Sequence, residues 1–163
     1  KAAKRVINEP KIVFLFIGDG AQNENIKALV IKNNLHNCKF LPYQDYVHLP
    51  FSLSAANLAL ITLNENASDI VAPSKLYGHL AAGTPVAAVS SKNSYLAELV
   101  SKKGFGKHFL NGNYIALSDW IIELKNSKSL SKEFEKNARD YIKFNASPNV
   151  ITKKYLEVIF DNI

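Results

Sequence analysis

The stretch 72–86, with the sequence APSKLYGHLAAGTPV, constrains the fold more than any other part of the chain. Pro73 and Ser74 favour a helix start, because proline fits the first turn and a serine hydroxyl can accept a hydrogen bond from a free amide. Gly83 favours a left-handed helix end. The apolar run 86–89 that follows predicts a short buried strand. A helix that leads directly into such a strand is typical of α/β domains.

The start of this helix is a candidate anion-binding site. The first amides of a helix have no partner within the helix, and the macrodipole places partial positive charge there. Lys75 adds a full positive charge at the same end. We therefore expect Ser74 and Lys75 to face an anionic ligand.

Apolar runs and amphipathic segments alternate along the chain. Residues 11–17 form a near-continuous apolar run, which predicts a strand in the middle of a parallel sheet. Further strands are predicted at 38–41, 58–63, 86–89 and, as a short edge strand, 106–110. Helices are predicted at 22–35, 49–58, 73–83, 114–126, at 129–144 with Ser129 as cap, in a segment that ends at Gly104, and after Ser147-Pro148. This order favours an α/β fold with a doubly wound parallel sheet and right-handed crossovers.

The last third of the chain carries most of the large aromatic side chains of the predicted amphipathic helices. Their spacing predicts packing in the core or against another domain. They are Trp120, Phe134, Tyr141, Phe144, Tyr155 and Phe160.

Length and composition set broad limits on the protein. With 163 residues, 47% hydrophobic and 21% charged, the chain is predicted to be one globular domain without a membrane span. The net charge of +6 is spread out and not interleaved with stacking aromatics, so nucleic-acid binding is not favoured, whereas an anionic lipid or substrate remains open. The single Cys38 excludes an internal disulfide and fits a reduced, intracellular setting. The chain has no methionine, so we expect it to be an excerpt of a larger protein.

Polar or glycine-bearing loops follow the predicted strands, where parallel sheets bind their ligands. These loops are 18–20, 42–46, 64–70 and 90–94. The first of them, Gly18-Asp19-Gly20, could admit a phosphate or a ribose close to the backbone. It lacks the third glycine of the dinucleotide fingerprint and the Gly-Lys of a P-loop, so a simple turn is an equally good interpretation.

Metal and covalent catalysis are not predicted. The four histidines have no metal-ligand spacing. His36 and Cys38 could share a strand face as base and nucleophile, but a lone cysteine at a strand start is more often a small core residue. The nucleophile elbow Gly-x-Ser-x-Gly does not occur in the sequence.

Four segments, in this order, resemble the C-terminal, nucleotide-sugar-binding half of a GT-B glycosyltransferase, closest to the retaining family 4 branch. They are FLFIGDG at 14–20, KFLPY at 39–43, AANLALI at 55–61 and PSKLYGHLAAGTPV at 73–86. The resemblance covers most of the chain, and its Ala-Ala-Gly-Thr-Pro-Val core is the most specific part. It implies a Rossmann-like doubly wound sheet.

The resemblance also implies roles for particular residues. Those near the donor would be Gly18, Asp19 and Gly20 in the cleft, Gln44, Asp45 and Tyr46 beside the base, and Ser74 and Lys75 at the diphosphate. The helix dipole and cations would stabilise the leaving nucleoside diphosphate, so no metal or other cofactor is expected.

Two positions depart from the family pattern. Gly78 stands where the family commonly has a glutamate that binds the ribose hydroxyls, and Ile70 stands where a second glutamate is usual. Glycine cannot make the ribose contact through a side chain. The nearby Glu65, Asp69 or His79 could substitute for it or contact the donor sugar.

The implied function is transfer of a sugar from a nucleotide diphosphate sugar to a saccharide or lipid-linked acceptor, with retention, in surface polysaccharide synthesis. Residues 1–163 would form one nucleotide-sugar-binding domain, preceded by a missing first strand and an N-terminal acceptor domain. The expected partners are the nucleotide sugar and that domain, with no nucleic acid. The expected location is the cytoplasm, with peripheral contact at the inner face of the membrane. By itself the excerpt should not catalyse.

Two alternatives remain open. One is a nucleotide-sugar epimerase of the same two-domain architecture, which would need a dense set of carboxylates and histidines in the cleft. The other is a degenerate, non-catalytic GT-B domain that serves as a scaffold, which Gly78 and Ile70 favour.

Overall fold

Parallel strands alternate with helices in the computed structural model, which describes residues 1–67 and 71–160. The strands are β1 (Phe14–Ile17), β2 (Cys38–Leu41), β3 (Ala59–Thr62), β4 (Val86–Ser90) and β5 (Gly106–Leu110). The α-helices are α1 (Ala2–Arg5), α2 (Asn23–Lys32), α3 (Leu49–Ser54), α4 (Ser74–Ala82), α5 (Tyr95–Lys103), α6 (Tyr114–Asn126), α7 (Lys128–Tyr141) and α8 (Pro148–Phe160). Short 3₁₀ turns occur at Tyr46–His48 and Glu65–Ala67, and a π-helical turn at Ile142–Ala146.

All of these strands pair in parallel, in two separate sheets. β1 pairs with β2, and the second sheet has the order β3-β4-β5. The predicted parallel α/β class is therefore confirmed.

The structure does not confirm the predicted position of β1 in the middle of a sheet. Within the described residues β1 has a neighbour on one side only, and Val13, Leu15 and Ile17 are 55%, 48% and 41% exposed. An apolar run shows that a strand can be covered on both faces, but the element that covers it need not lie in the same stretch of chain.

The core surrounds β4, the middle strand of the larger sheet. Val86, Ala87 and Ala88 are fully buried. One face of this sheet packs against α4, α5 and the end of α7, and the other packs against α6 and α1. No described helix has the length and apolar character that crossing a bilayer requires.

The late aromatic residues divide into two groups. Trp120, Phe134 and Tyr141 join the core, where Trp120 lies 5.5 Å from Phe109 and 5.8 Å from Phe134 between ring centroids. Phe144, Tyr155 and Phe160 are instead 62%, 68% and 65% exposed. Helical spacing predicts an apolar face but cannot say whether a partner covers it.

The helix that was predicted around 73–83 is present as α4. It ends at Gly83 in the left-handed conformation with φ of 78°, as predicted. Its start differs from the prediction, because Pro73 occupies the cap position and no side chain caps the helix in the described residues. Ser74 is therefore the first helical residue and does not act as the cap.

Two other helix boundaries are corrected by the structure. Ser127 rather than Ser129 caps α7, since its Oγ accepts a hydrogen bond from the amide of Leu130 at 3.3 Å. The same helix gives way to the π-helical turn at Ile142, before its predicted end. Neighbouring serines offer equivalent caps, so the spacing alone could not choose between them.

Candidate functional site

The candidate site lies at the carboxyl edges of the parallel strands, at the start of α4 and in the loops after β1, β2 and β3. The loops after β1 and β2 are neighbours, because these strands pair and the amide of Gly18 donates to the carbonyl of Leu41 at 3.1 Å. α3, which follows the second loop, packs on α4, and the hydroxyl of Thr84 donates to the carbonyl of Leu53 at 3.2 Å. The loops after β1 and β2 are thus connected to each other, and the second of them is connected to α4 through α3.

The start of α4 presents Ser74 and Lys75 to solvent. The amide of Leu76 donates to Pro73 at 3.0 Å, so the amides of the two preceding residues have no place in the helical ladder. Leu76 is fully buried and anchors this turn on the sheet. An anion at this end would meet two amides, the helix dipole and the charge of Lys75.

His79 lies one helical turn beyond Lys75 and is half-buried. Its Nδ1 is buried and has no hydrogen-bond partner among the described residues. Burial, and secondarily the charge of Lys75, lower the pKa of His79. The imidazole is therefore neutral at neutral pH and can exchange hydrogen bonds with a polar ligand without adding charge.

Gly78 lies where α3 packs against α4. A Cβ at this position would stand 3.2 Å from Cδ1 of Leu53, which is a tight but yielding contact with a flexible side chain. The missing side chain thus allows α3 to lie close to the start of α4. Gly78 has a packing role in this fold, and its place in ligand binding stays a prediction.

The turn after β1 is open. Gly18 has a φ of 102°, and neither Gly18 nor Gly20 has an atom within 4 Å of where a Cβ would be. The carboxylate of Asp19 accepts a hydrogen bond from Asn23 Nδ2 at 2.6 Å and is tied to the start of α2. This loop leaves space for a ligand, while its one acidic group already has a partner.

The loop after β2 exposes most of its side chains. Gln44 Nε2 donates to the carbonyl of Pro42 at 2.9 Å, which closes the loop on itself. Asp45 and Tyr46 face solvent, and Tyr46 is 83% exposed. The side chains of Asp45 and Tyr46 are therefore accessible to a ligand at the sheet edge, whereas that of Gln44 already bonds within the loop.

The loop after β3 is described only in part. Glu65 begins a 3₁₀ turn and is exposed. Asp69 and Ile70 lie outside the described residues, so the predictions made for them are not examined by the structure. In residues 1–67 and 71–160, no three histidine, cysteine, aspartate or glutamate side chains lie together as a metal site would need.

Three polar contacts at this edge were not predicted from the sequence. Nε2 of His108 lies 3.1 Å from Oγ of Ser90, and Ser90 Oγ lies 2.6 Å from Oγ of Ser94. Asn111 Nδ2 donates to the carbonyl of Leu63 at 3.0 Å, which ties the loop after β5 to the end of β3. The position of Asn111, a polar residue directly after a predicted strand, was the one sequence signal for its contact with Leu63. His108 gave none, because its partners come from another strand.

Comparison with known proteins places this geometry in context. The family model described as glycosyl transferases group 1 matches residues 1–141. The chain is 28% identical over 123 residues to the probable glycosyltransferase WbjE of Pseudomonas aeruginosa. This match covers 76% of this chain and 31% of that protein. It is 30% identical over 99 residues to the putative colanic acid biosynthesis glycosyl transferase WcaI of Escherichia coli K12, covering 61% of this chain and 24% of that protein.

Among solved structures, HepE of Anabaena in complex with UDP-glucose has the same fold. The TM-score is 0.76 at 15% sequence identity, and the match covers 98% of this chain and 44% of HepE. The chain therefore spans less than half of this protein and about a third or less of the two curated relatives.

Proposed function

Because the chain belongs to the family of glycosyl transferases group 1, we propose that it is the donor-binding domain of a glycosyltransferase that uses a nucleotide diphosphate sugar. The observation that carries the proposal is the uncapped start of α4 at the carboxyl edge of the sheet, with Lys75 exposed beside it. That arrangement suits the diphosphate. The UDP-glucose named in the HepE structure supports a nucleotide sugar as the ligand.

The remaining candidate site residues are proposed to surround the diphosphate-binding start of α4. In the proposal, the main chain of the open turn Gly18–Gly20 contacts the nucleotide. Gln44, Asp45 and Tyr46 border the base. His79 supplies an uncharged hydrogen-bonding group to the donor, with Glu65 and Asp69 as further contacts to the sugar. The dipole of α4 and Lys75 meet the charge of the leaving diphosphate, so the proposed transfer, with retention, requires no metal.

We also propose that one further parallel strand completes the sheet between β1 and β3. The amide of Phe14 donates to Asn37, directly before β2, and that of Gly18 donates to Leu41 in β2. The amides of Leu15 and Ile17 therefore point to the opposite, open edge. Amides of β3 at Ala59 and Leu63 donate towards β4, which leaves the alternate amides on its open edge. A strand before α1, joined by a right-handed crossover, would lie beside β1.

This proposal predicts slow amide exchange at both edges in the full-length protein. Leu15, Ile17, Leu60 and Thr62 should exchange at least about 100-fold more slowly than unprotected amides, because each would donate to the added strand. Hydrogen–deuterium exchange read at single residues measures this, with Phe16 and Ile61, which face the existing partners, as protected references. Rapid exchange at the first four, with the references protected, would contradict the added strand.

The exposed apolar face of α8 supports the proposal that a second domain packs on it in the complete protein. None of its described side chains is buried, and Ile151, Tyr155 and Ile159 are 38%, 68% and 53% exposed on one stripe. The match to HepE covers 98% of this chain, more than it could without α8, and HepE is much longer. We propose that this face packs on an N-terminal acceptor domain.

We also propose that the protein acts in the cytoplasm, at the inner face of the membrane. Its acceptor would be a saccharide or a lipid-linked molecule of surface polysaccharide synthesis.

Calorimetric titration of the full-length protein tests the central proposal. UDP, GDP and their sugars are added in turn, with and without EDTA. We expect saturable binding of one nucleotide class that EDTA leaves unchanged, because helix amides and Lys75 supply the positive charge. Failure of every nucleotide to bind would refute a donor-binding role, and loss of binding in EDTA would refute metal independence.

A non-catalytic scaffold is the second candidate. Gly78 favours it, since this position has no side chain to bind a ribose and a Cβ there would stand only 3.2 Å from Cδ1 of Leu53. Nucleotide binding without sugar transfer to any acceptor fraction would support this alternative.

A further inference from the structure

The turn after β4 carries an exposed lysine at the carboxyl edge of the sheet. The amide of Ser94 donates to the carbonyl of Ser91 at 3.3 Å, which closes this turn. Lys92 and Asn93 occupy its two central positions. Lys92 is exposed, and none of the ion pairs between described residues includes it. Its ammonium group is therefore available to an anionic ligand.

Hydrogen bonds fix both ends of this turn. Ser94 caps α5, since its Oγ accepts a hydrogen bond from the amide of Ala97 at 3.1 Å. The same Oγ lies 2.6 Å from Oγ of Ser90, the last residue of β4. Both serines are fully buried, so breaking the bond between them would leave a buried hydroxyl unpaired at a cost in stability. The two ends of the turn thus form one hydrogen-bonded unit.

His108 of β5 supports this unit from the neighbouring strand. Ala88 and Ser90 lie on one face of β4, and His108 pairs with Ala88. Nε2 of His108 lies 3.2 Å from the carbonyl oxygen of Ser90 and 3.1 Å from its Oγ. Because a carbonyl can only accept, we assign the proton to Nε2, which donates to this carbonyl. His108 thereby fixes the main chain at the residue that precedes the turn.

The turn after β4 lies beside the start of α4. α4 begins beyond the carboxyl end of β3, the turn follows the carboxyl end of β4, and these two strands pair in parallel. Leu76 near the start of α4 and Leu96 near the start of α5 are fully buried in one core cluster, so both helices begin on the same face of the sheet. Neighbouring helices are about 10 Å apart. Lys92 can therefore extend to a ligand bound at the start of α4.

We propose that Lys92 is a second cationic contact for the diphosphate at the start of α4, and that His108 is the residue that positions it. In this arrangement Lys75 approaches the diphosphate from α4, and Lys92 approaches it from the turn after β4. Because the turn is already ordered, its main chain loses little conformational entropy when the ligand binds. The inference rests on the proposed function, since it assumes that this end of α4 binds a diphosphate.

Calorimetric titration of UDP and GDP into the full-length protein tests the role of Lys92. For Lys92→Gln we expect the Kd of the nucleotide that the wild type binds to rise by about threefold to tenfold, because a charge-assisted contact is lost. Lys128→Gln is the matched control and should leave Kd unchanged. Lys128 is also exposed and adjacent to a helix start, but it lies beyond the end of α6, a helix of 13 residues that begins at the carboxyl edge.

A double-mutant cycle tests the positioning role of His108. His108→Leu removes the bond to Ser90 and should raise Kd by a similar factor, whereas His108→Gln keeps an N–H donor and should keep most of the affinity. If His108 acts by placing Lys92, His108→Leu should have no further effect in a Lys92→Gln background. General destabilisation would instead weaken binding in both backgrounds. Without ligand, amide exchange at Ser94, whose N–H closes the turn, should accelerate in His108→Leu.

The outcomes separate this inference from the proposed function. If the wild-type protein binds neither nucleotide, the donor-binding role is refuted and this inference falls with it. If the wild type binds one of them and Lys92→Gln binds it with the same Kd, only the contact between Lys92 and the diphosphate is refuted. Additive effects of Lys92→Gln and His108→Leu on the free energy of binding would refute the positioning role of His108.

Discussion

Replacing Gly106 with alanine is expected to destabilise the protein by about 3 kcal/mol or more, a large fraction of the roughly 5–15 kcal/mol that stabilises a typical domain. Gly106 pairs with Val86 in the β4–β5 ladder. An added Cβ would overlap the carbonyl group and the amide nitrogen of Val86, which are backbone atoms that no rotamer change can move. Because Val86 is fully buried in the middle strand, relief requires separation of two core strands.

Urea denaturation of the full-length protein, followed by circular dichroism, measures this effect. Gly20→Ala is the matched control, since no atom lies within 4 Å of the Cβ it would add. We expect the control to change the free energy of unfolding by less than about 0.5 kcal/mol. A Gly106→Ala variant as stable as the control would show that the two strands can separate without cost.

Lys75→Gln is expected to raise the Kd for the nucleotide by about tenfold to hundredfold, because a charge-assisted contact to the diphosphate is lost. Lys132→Gln, an exposed lysine on α7, is the matched control and should leave Kd unchanged. Calorimetry at two salt concentrations adds a second criterion, since the wild type should lose more affinity in high salt than Lys75→Gln does. An unchanged affinity of Lys75→Gln for the nucleotide would show that Lys75 does not contact the diphosphate.

The same variant has a readout that needs no ligand. The charge of Lys75 contributes, after burial, to the lowered pKa of His79. Removing that charge should therefore raise the pKa of His79, although burial will keep it below its ordinary value. Histidine proton shifts followed by NMR through a pH titration measure the change, and an unchanged pKa would place the two groups too far apart to act together.

Features with a local cause could be predicted from the sequence. α6 begins and ends where the amphipathic pattern placed it, and Gly83 and Gly104 end their helices in the left-handed conformation. β2 also has its predicted bounds. In each case the deciding residues lie within a few positions of the element, so spacing and turn chemistry were sufficient.

Within the candidate site, the sequence indicated which loops carry polar groups but not what those groups contact. Asp19 was predicted to face the donor, and the structure shows its carboxylate bonded to Asn23. Gly78 was a departure from a family pattern, and the structure shows Leu53 packed over it. Ligand binding by either residue stays a prediction.

The sequence alone therefore determined the parallel α/β class, the position of α4 and the positive character of its start, because these depend on neighbours in the chain. Only the tertiary structure decided that β1 has a neighbour on one side only and that the apolar stripe of α8 is uncovered, both among the described residues. Those features depend on which side chains from distant segments meet, and periodicity records only which face of an element is apolar. The start of α4 depends on both, since local sequence leaves its amides free and distant contacts hold it in place.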